Sequence, residues 1–250
     1  MWNYSLKGKI LAPFAYLNMR KAIKSASNLI YVTNEFLQKR YPTKGKNIGC
    51  SDVRILNFKK ENFKNVINSN KKIILGTVGN VGIRYKGQKY VIKALNNLKK
   101  MGNNNFEYHL VGGGNKEYLN KLIEKYSLQD EVKFIGSLPH DKVFQWYKSL
   151  DLYIQPSKIE GLPRALIEAM SCGIPCLGSS IGGIPELLDQ DSTFKRGNIK
   201  QIQELLLRAE NECFRKEKAQ KCFEKSKNYE LCILEQKRIN FMKQVFRDNT

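Results

Sequence analysis

The sequence predicts an α/β fold: a doubly wound parallel sheet with flanking helices. Three observations predict it. Short strand-like runs ending in glycine or Pro-Ser recur along the middle of the chain, as KIILGTVGN, FEYHLVGGG, VKFIGSLP and LYIQPS, and the first, a continuous apolar run, has the form of a strand buried on both faces. A stretch with helical spacing follows each run, so the order is strand, helix, strand, helix, with right-handed crossovers. Finally, 250 residues with 42% hydrophobic and 10% aromatic content can close one sizeable core.

Element by element, Leu17, Ala22, Ile23 and Ala26 mark a first helix, LIYVT a strand, and NEFLQKRYP a second helix that should stop at Tyr41 before Pro42. Thr43 to Asn70, rich in Lys, Asn and Gly and interrupted by VRIL, is expected to be irregular. From Lys71 come four strand-and-helix units, with helices expected from about Gly87, over Lys116 to Tyr126, over Asp141 to Leu150 and from Pro163. PCLGS supplies a fifth strand, Pro185 opens a short helix, TFK is a sixth short strand, and IKQIQELLLRAENE is a helix. The last stretch reads as lysine-rich amphipathic helices. The expected domain boundaries are 1–57, a linker over 58–70, a ligand-binding domain over 71–210, and C-terminal helices over 211–250.

Lys and Arg total 43 against 23 acidic residues, a formal charge of +20, which predicts attraction to polyanions, anionic lipid or phosphorylated small molecules. The lysines are scattered and no aromatic stacking pattern interleaves with them, so no nucleic-acid partner is expected. The six cysteines form no CxxC pairs, so no zinc site or other metal is expected. Residues 1–17 lack the apolar core of a signal peptide, and no apolar run approaches the ~18 residues of a membrane span. The expected location is the cytoplasm, with reduced thiols.

In open parallel sheets ligands sit beyond the carboxyl ends of the strands, and every glycine-rich motif here falls in such a place. Gly79-Asn80-Val81-Gly82 closes one strand, Gly112-Gly113-Gly114 the next, Gly136 a third, and Glu160-Gly161-Leu162-Pro163 precedes a helix. Glycine lets backbone N–H groups approach a phosphate and a helix N-terminus adds a favourable partial charge; for Gly112 to Gly114 a mere chain reversal explains the residues as well. None matches GxxxxGK[ST]. In EGLPRALIE, Glu160 lies in the loop and Glu168 two turns into the helix, among apolar and glycine-rich neighbours. His109 and His140 are the sole histidines; His109 sits inside a strand pattern as a packed residue and His140 at a helix start facing solvent.

The segment IQPSKIEGLPRALIEAMSCGIPCLGSSIGGIPELL resembles the two-glutamate region of the group 1 (family 4) glycosyltransferases: strand, PS, EGxP, a second Glu, AxxxGxP, strand, and a GGxxE loop. The match extends over residues 71 to about 210. The resemblance implies a retaining enzyme of the GT-B fold, whose C-terminal, Rossmann-like half binds a nucleoside diphosphate sugar. It assigns Glu160 to the sugar hydroxyls, Glu168 to the ribose, and the amides of Gly161 and Leu162 to the diphosphate. Lys86, before Gly87, matches the family's loop lysine, a fixed cation for the leaving diphosphate in place of a metal. Asn80 stands where the family carries an arginine, and Arg84 is the nearest substitute. Gly79 and Gly112 belong to the donor-facing loops, and Ile135 to Leu138, with Gly136, would frame the base.

The stretch SASNLIYVTNEFLQKRYP looks like the last strand and helix of the family's N-terminal domain, so residues 1–57 read as a remnant of the acceptor domain. The partners implied are a nucleoside diphosphate sugar, a glycan or lipid-linked acceptor, a separate N-terminal half, and peripheral contact with the inner face of a membrane. No cofactor is implied beyond the donor. Two other readings stand beside transfer of a hexosyl group: a nucleotide-sugar-binding module without catalysis, and an unrelated phosphate-binding or nucleic-acid-binding Rossmann domain indifferent to Glu160.

Overall fold

The computed structural model of the chain describes residues 6–56 and 72–247; the expected 58–70 linker lies outside the described residues. Contacts group the described chain into two compact units, one reaching to Asp52 and resuming at Leu234, the other running Val53–Ile233.

In the first unit, α1 (Leu6–Ser25) leads to β1 (Asn28–Tyr31), and α2 (Phe36–Arg40) ends at Tyr41, ahead of Pro42, as its sequence predicts. The described part of the Thr43–Asn70 segment, to Leu56, is less irregular than expected. Lys46–Gly49 forms a strand, β2, parallel to β1 with Ile48 opposite Ile30. KNIG has little β preference of its own; pairing overrides it, with Lys46 N–H donating to Ser27 O (2.8 Å) and Cys50 N–H to Tyr31 O (2.6 Å).

The second unit is built on β3 (Ile73–Val78), β4 (Phe106–Val111), β5 (Val132–Gly136), β6 (Leu152–Gln155), β7 (Cys176–Ser179) and β8 (Thr193–Phe194). All pair in parallel, in the spatial order β5-β4-β3-β6-β7-β8. The order reverses between β3 and β6, where an open sheet leaves a crevice at its carboxyl edge. The crossover helices are α3 (Gln88–Lys100), α4 (Glu117–Lys125), α5 (His140–Ser149) and α6 (Arg164–Ser171), and a 3-10 turn, Ile184–Glu186, follows β7. Each predicted strand of this sheet is present; β6 and β7 are buried on both faces, Leu75, Tyr108, Leu152, Ile154 and Leu177 are at 0% exposure, and the edge strand β5 leaves Lys133 and Ile135 exposed.

α7 (Ile199–Ala209) covers the core with Ile202 and Leu206 and is capped by Asn198, whose side chain accepts from Gln201 N–H. It stops three residues earlier than predicted, because Asn211 accepts from Phe214 N–H and opens α8 (Glu212–Ser226). Arg215 then closes the C-terminus of α7, donating to Ala209 O (2.5 Å) and Glu210 O (3.0 Å). α8 departs from the predicted amphipathic pattern by burying cations: Lys218 is 2% exposed and meets Asp191 at 2.5 Å, and that contact, first by its hydrogen bond, holds the Asp191 carboxyl below its ordinary value. The last described helix is α9 (Leu231–Arg247). No helix among the described residues is long and apolar enough to cross a membrane.

Two outcomes follow. Gly87 has φ +81° and a Cβ there would lie 1.9 Å from Pro156 O, so Gly87→Ala is expected to lower stability by about 1–3 kcal/mol, read as a lower urea midpoint. Cys213 and Cys232 are exposed while Cys50, Cys172, Cys176 and Cys222 are buried, and burial pushes the Cys172 thiol up to about 12. A disulfide-exchange reagent should therefore titrate two thiols promptly in the native protein and the other four only on unfolding.

Candidate functional site

The site assembles where the loop after β3 meets the loop after β6. Beyond Val78 the strand pairing continues into the glycine loops: Gly79 N–H donates to Val111 O (2.8 Å) and Val81 N–H to Gly113 O (2.9 Å). Gly112, at φ +140°, has no room for a side chain, since a Cβ would lie 2.3 Å from Gly79 O. Asn80 turns back on its own loop and accepts from Gly82 N–H through Oδ1 (2.9 Å). It therefore ties the loop together and supplies no charge. Gly112 N–H in turn donates to Gly136 O (2.8 Å), so the ends of β3, β4 and β5 are held in one row.

A 3-10 turn, Arg84–Lys86, carries the basic residues and ends at Gly87 in the left-handed region. The missing side chain of Gly87 lets the turn lie against Pro156, and Lys158 N–H donates to Tyr85 O (2.7 Å). This close approach delivers Lys86 across the crevice. Its stem passes Gly79, where a Cβ would be 3.5 Å from Lys86 Cδ, and Nζ meets Glu160 Oε1 at 2.6 Å, the two side chains being 23% and 12% exposed. Partial burial strengthens such a pair relative to one in open water.

Glu160 is held from several sides. Ser157 Oγ donates to its Oε1 (2.8 Å) and Gln155 Nε2 does so at 3.2 Å. Gly182, at φ +59°, allows the loop after β7 to close on Glu160, and Gly183 N–H donates to Gly161 O (2.6 Å). The Gly161 and Leu162 N–H groups themselves make no hydrogen bond in the described structure. They sit with Pro163 at the start of α6, where unpaired amides and the helix dipole together favour an anion.

The structure thus brings Lys86, Glu160, Gly161 and Leu162 together. Arg84 is not among their contacts; it is exposed and stacks on the Tyr118 ring, 5.5 Å from its centroid. Glu168, on α6, is half-buried and accepts from Tyr147 OH (3.1 Å), and burial, then the neighbouring Tyr153 and Glu168, push the Tyr147 phenol well up, so it stays a donor. Gly136, at φ +86°, faces open space. His109 lies mid-strand, half-buried, with Nε2 2.6 Å from Glu107 Oε1, and His140 is exposed at the start of α5. Neither histidine joins the site. Sequence reasoning assigned no role to Tyr153, Gln155, Ser157 or Gly182; the PS and GG positions in the motif were the available signal.

A second concavity, of about 570 Å³, lies between the segment after β7 and α8. Two of the three lysines that line it are paired, Lys218 with Asp191 (2.5 Å) and Lys221 with Glu217 (2.8 Å) and Asp189 (3.3 Å); in the crevice at β3 and β6 the Lys86–Glu160 pair lies beside the unused Gly161 and Leu162 N–H donors. Among the described residues no group of three potential metal ligands gathers.

The family described as "Glycosyl transferases group 1" matches residues 57–229. Protein CapJ of Staphylococcus aureus is 36% identical over 209 residues, covering 82% of this chain and 52% of CapJ, so the chain spans about half the length of that relative. Among solved structures, sucrose-phosphate synthase of Thermosynechococcus elongatus aligns with a TM-score of 0.79 at 18% identity over 94% of this chain and 62% of its own. Anabaena HepE, solved in complex with UDP, aligns with a TM-score of 0.78 at 18% identity over 93% of this chain and 69% of its own; both likenesses concern the fold. With the match covering most of the second unit, this chain belongs to the group 1 glycosyl transferases.

Proposed function

We propose that this chain is the donor-binding half of a retaining glycosyltransferase that moves a hexosyl group from a nucleoside diphosphate sugar to an acceptor hydroxyl, in polysaccharide or glycoconjugate synthesis. The observation that carries the reading is the 2.6 Å Lys86–Glu160 pair beside the unpaired Gly161 and Leu162 N–H groups. A diphosphate needs donors and positive charge; a sugar ring needs a fixed acceptor for its hydroxyls. The crevice offers both within one row of loops.

In this reading the diphosphate lies against the Gly161 and Leu162 amides at the open end of α6, with Lys86 beside it. As the bond from the anomeric carbon to the phosphate oxygen breaks, negative charge grows on that oxygen. Fixed donors already aimed there stabilise it without reorganisation. Glu160 accepts from hydroxyls of the transferred sugar and so sets where the anomeric carbon sits. Glu168 takes the ribose, the Ile135–Leu138 stretch frames the base, and Gly79, Gly112 and Gly136 keep the floor free of side chains. The acceptor, a glycan or lipid-linked sugar, would be presented by an N-terminal half, and the +20 charge of the chain favours peripheral contact with an anionic leaflet.

UDP-sugars are the first donors to test because HepE was solved with UDP. Calorimetric titration with a panel of UDP- and GDP-sugars should give one preferred nucleotide. Lys86→Ala should weaken both the sugar nucleotide and the bare nucleoside diphosphate, roughly tenfold or more for a lost charged hydrogen bond, while Arg84→Ala should cost less. Glu160→Ala should weaken only the sugar nucleotide. Absence of binding to every panel member, or indifference to both Lys86→Ala and Glu160→Ala, would contradict the reading.

A further inference from the structure

Behind Glu160 lies a line of buried polar groups that the donor reading leaves unused. Tyr153 and Ser157 are 0% exposed and Gln155 is 1% exposed. Val78 N–H points to Tyr153 OH (3.4 Å), Tyr153 OH donates to Gln155 Oε1 (2.7 Å), and Gln155 Nε2 donates to Ser157 Oγ (2.9 Å) and to Glu160 Oε1 (3.2 Å). Ser157 Oγ completes the line by donating to the same Oε1 (2.8 Å), and Ser179 Oγ pins the Ser157 carbonyl at 2.6 Å.

The direction of this line is fixed at both ends. A backbone N–H can only donate and an ionised carboxylate can only accept, so the Tyr153 hydroxyl accepts a hydrogen bond from Val78 N–H on one side and donates one to Gln155 on the other. That choice forces the Gln155 amide to present its NH2 to Ser157 and Glu160. Burial, the largest influence, pushes the Tyr153 phenol well up, so the hydroxyl remains a donor. Lys86, Ser157 and Gln155 all address Oε1; Oε2 is left as the acceptor on offer.

We propose that Ser157, Gln155 and Tyr153 are positioning residues that lock the Glu160 carboxylate with Oε1 loaded and Oε2 turned to the transferred sugar, and so set discrimination for the sugar part of the donor. The proposal rests on the donor reading. None of the three touches the nucleotide in that reading, so their loss should act through Glu160 alone. Such buried, fully connected donors hold a carboxylate rotamer that a lone lysine would leave free to swing.

The test compares affinities for UDP-glucose and UDP, or the GDP pair if the panel selects it, in Ser157→Ala, Tyr153→Phe and Glu160→Gln, with thermal unfolding of each variant recorded. Each of the first two substitutions deletes one oxygen and adds no bulk. Ser157→Ala should weaken the sugar nucleotide roughly tenfold and leave the bare diphosphate within about twofold. Tyr153→Phe, which acts at two removes, should lose a few-fold in the same ratio, and Ser157→Ala should add nothing in a Glu160→Gln background, since interacting groups do not act additively. If Glu160→Gln lowers the ratio while Ser157→Ala and Tyr153→Phe do not, or if they weaken both ligands equally, the positioning role is overturned and the donor reading stands. If Glu160→Gln also leaves the ratio unchanged, the donor reading itself falls.

Discussion

The site depends on one close approach: the loop after β3 lies so near the loop after β6 that a Cβ on Gly87 would sit 1.9 Å from Pro156 O. Without it the 3-10 turn could not dock, Lys158 N–H would lose Tyr85 O, and the 2.6 Å contact of Lys86 with Glu160 would not form. The contact spans the place where the strand order reverses, so two elements distant in sequence share one charge pair. The parallel register of β3 with β4 and β6 sets both loops at the same edge of the sheet. Glycines at 112 and 182 extend the arrangement by letting flanking loops close to backbone contact. Small residues are needed at these joints because three or four loop backbones meet where side chains would exclude both one another and a ligand.

The sequence foreshadowed the sheet better than the site. A strand buried on both faces announces itself as an apolar run, as in KIILGTV, and FEYHLV keeps enough apolar and aromatic residues around Glu107 and His109 to be read the same way; both could be placed to within a residue or two of Ile73–Val78 and Phe106–Val111. β2 went unread because KNIG carries no such run; its strand form comes from hydrogen bonds to β1. The end of α7 was overextended because the Asn211 cap looks, in sequence, like one more helix residue.

At the site, Lys86 and Glu160 were singled out through the resemblance to the family, and the structure sets them in contact. Arg84 shares the same loop, yet its guanidinium lies over Tyr118, a partner on α4 that spacing alone cannot reveal. Asn80 spends its side chain on Gly82. Tyr153 and Gln155 were invisible for a physical reason: in a fully buried strand, polar residues carry no periodic signature, and in this row only Ser157, in the PS motif, offered a signal. Their meaning emerges when the chain returns at Glu160 and accepts their hydrogen bonds. Net charge was informative only in the broadest sense, since cations such as Lys218 are consumed inside the fold.

The central claim is that the crevice at β3 and β6 receives a nucleoside diphosphate sugar. A crystal structure of the chain grown with the preferred donor tests it most directly. The account predicts the diphosphate within hydrogen-bond reach of Lys86 Nζ and the Gly161 and Leu162 N–H groups, with a sugar hydroxyl on Glu160 Oε2. A nucleotide bound elsewhere, in the concavity beside α8 for instance, with the Lys86–Glu160 pair untouched, would contradict it.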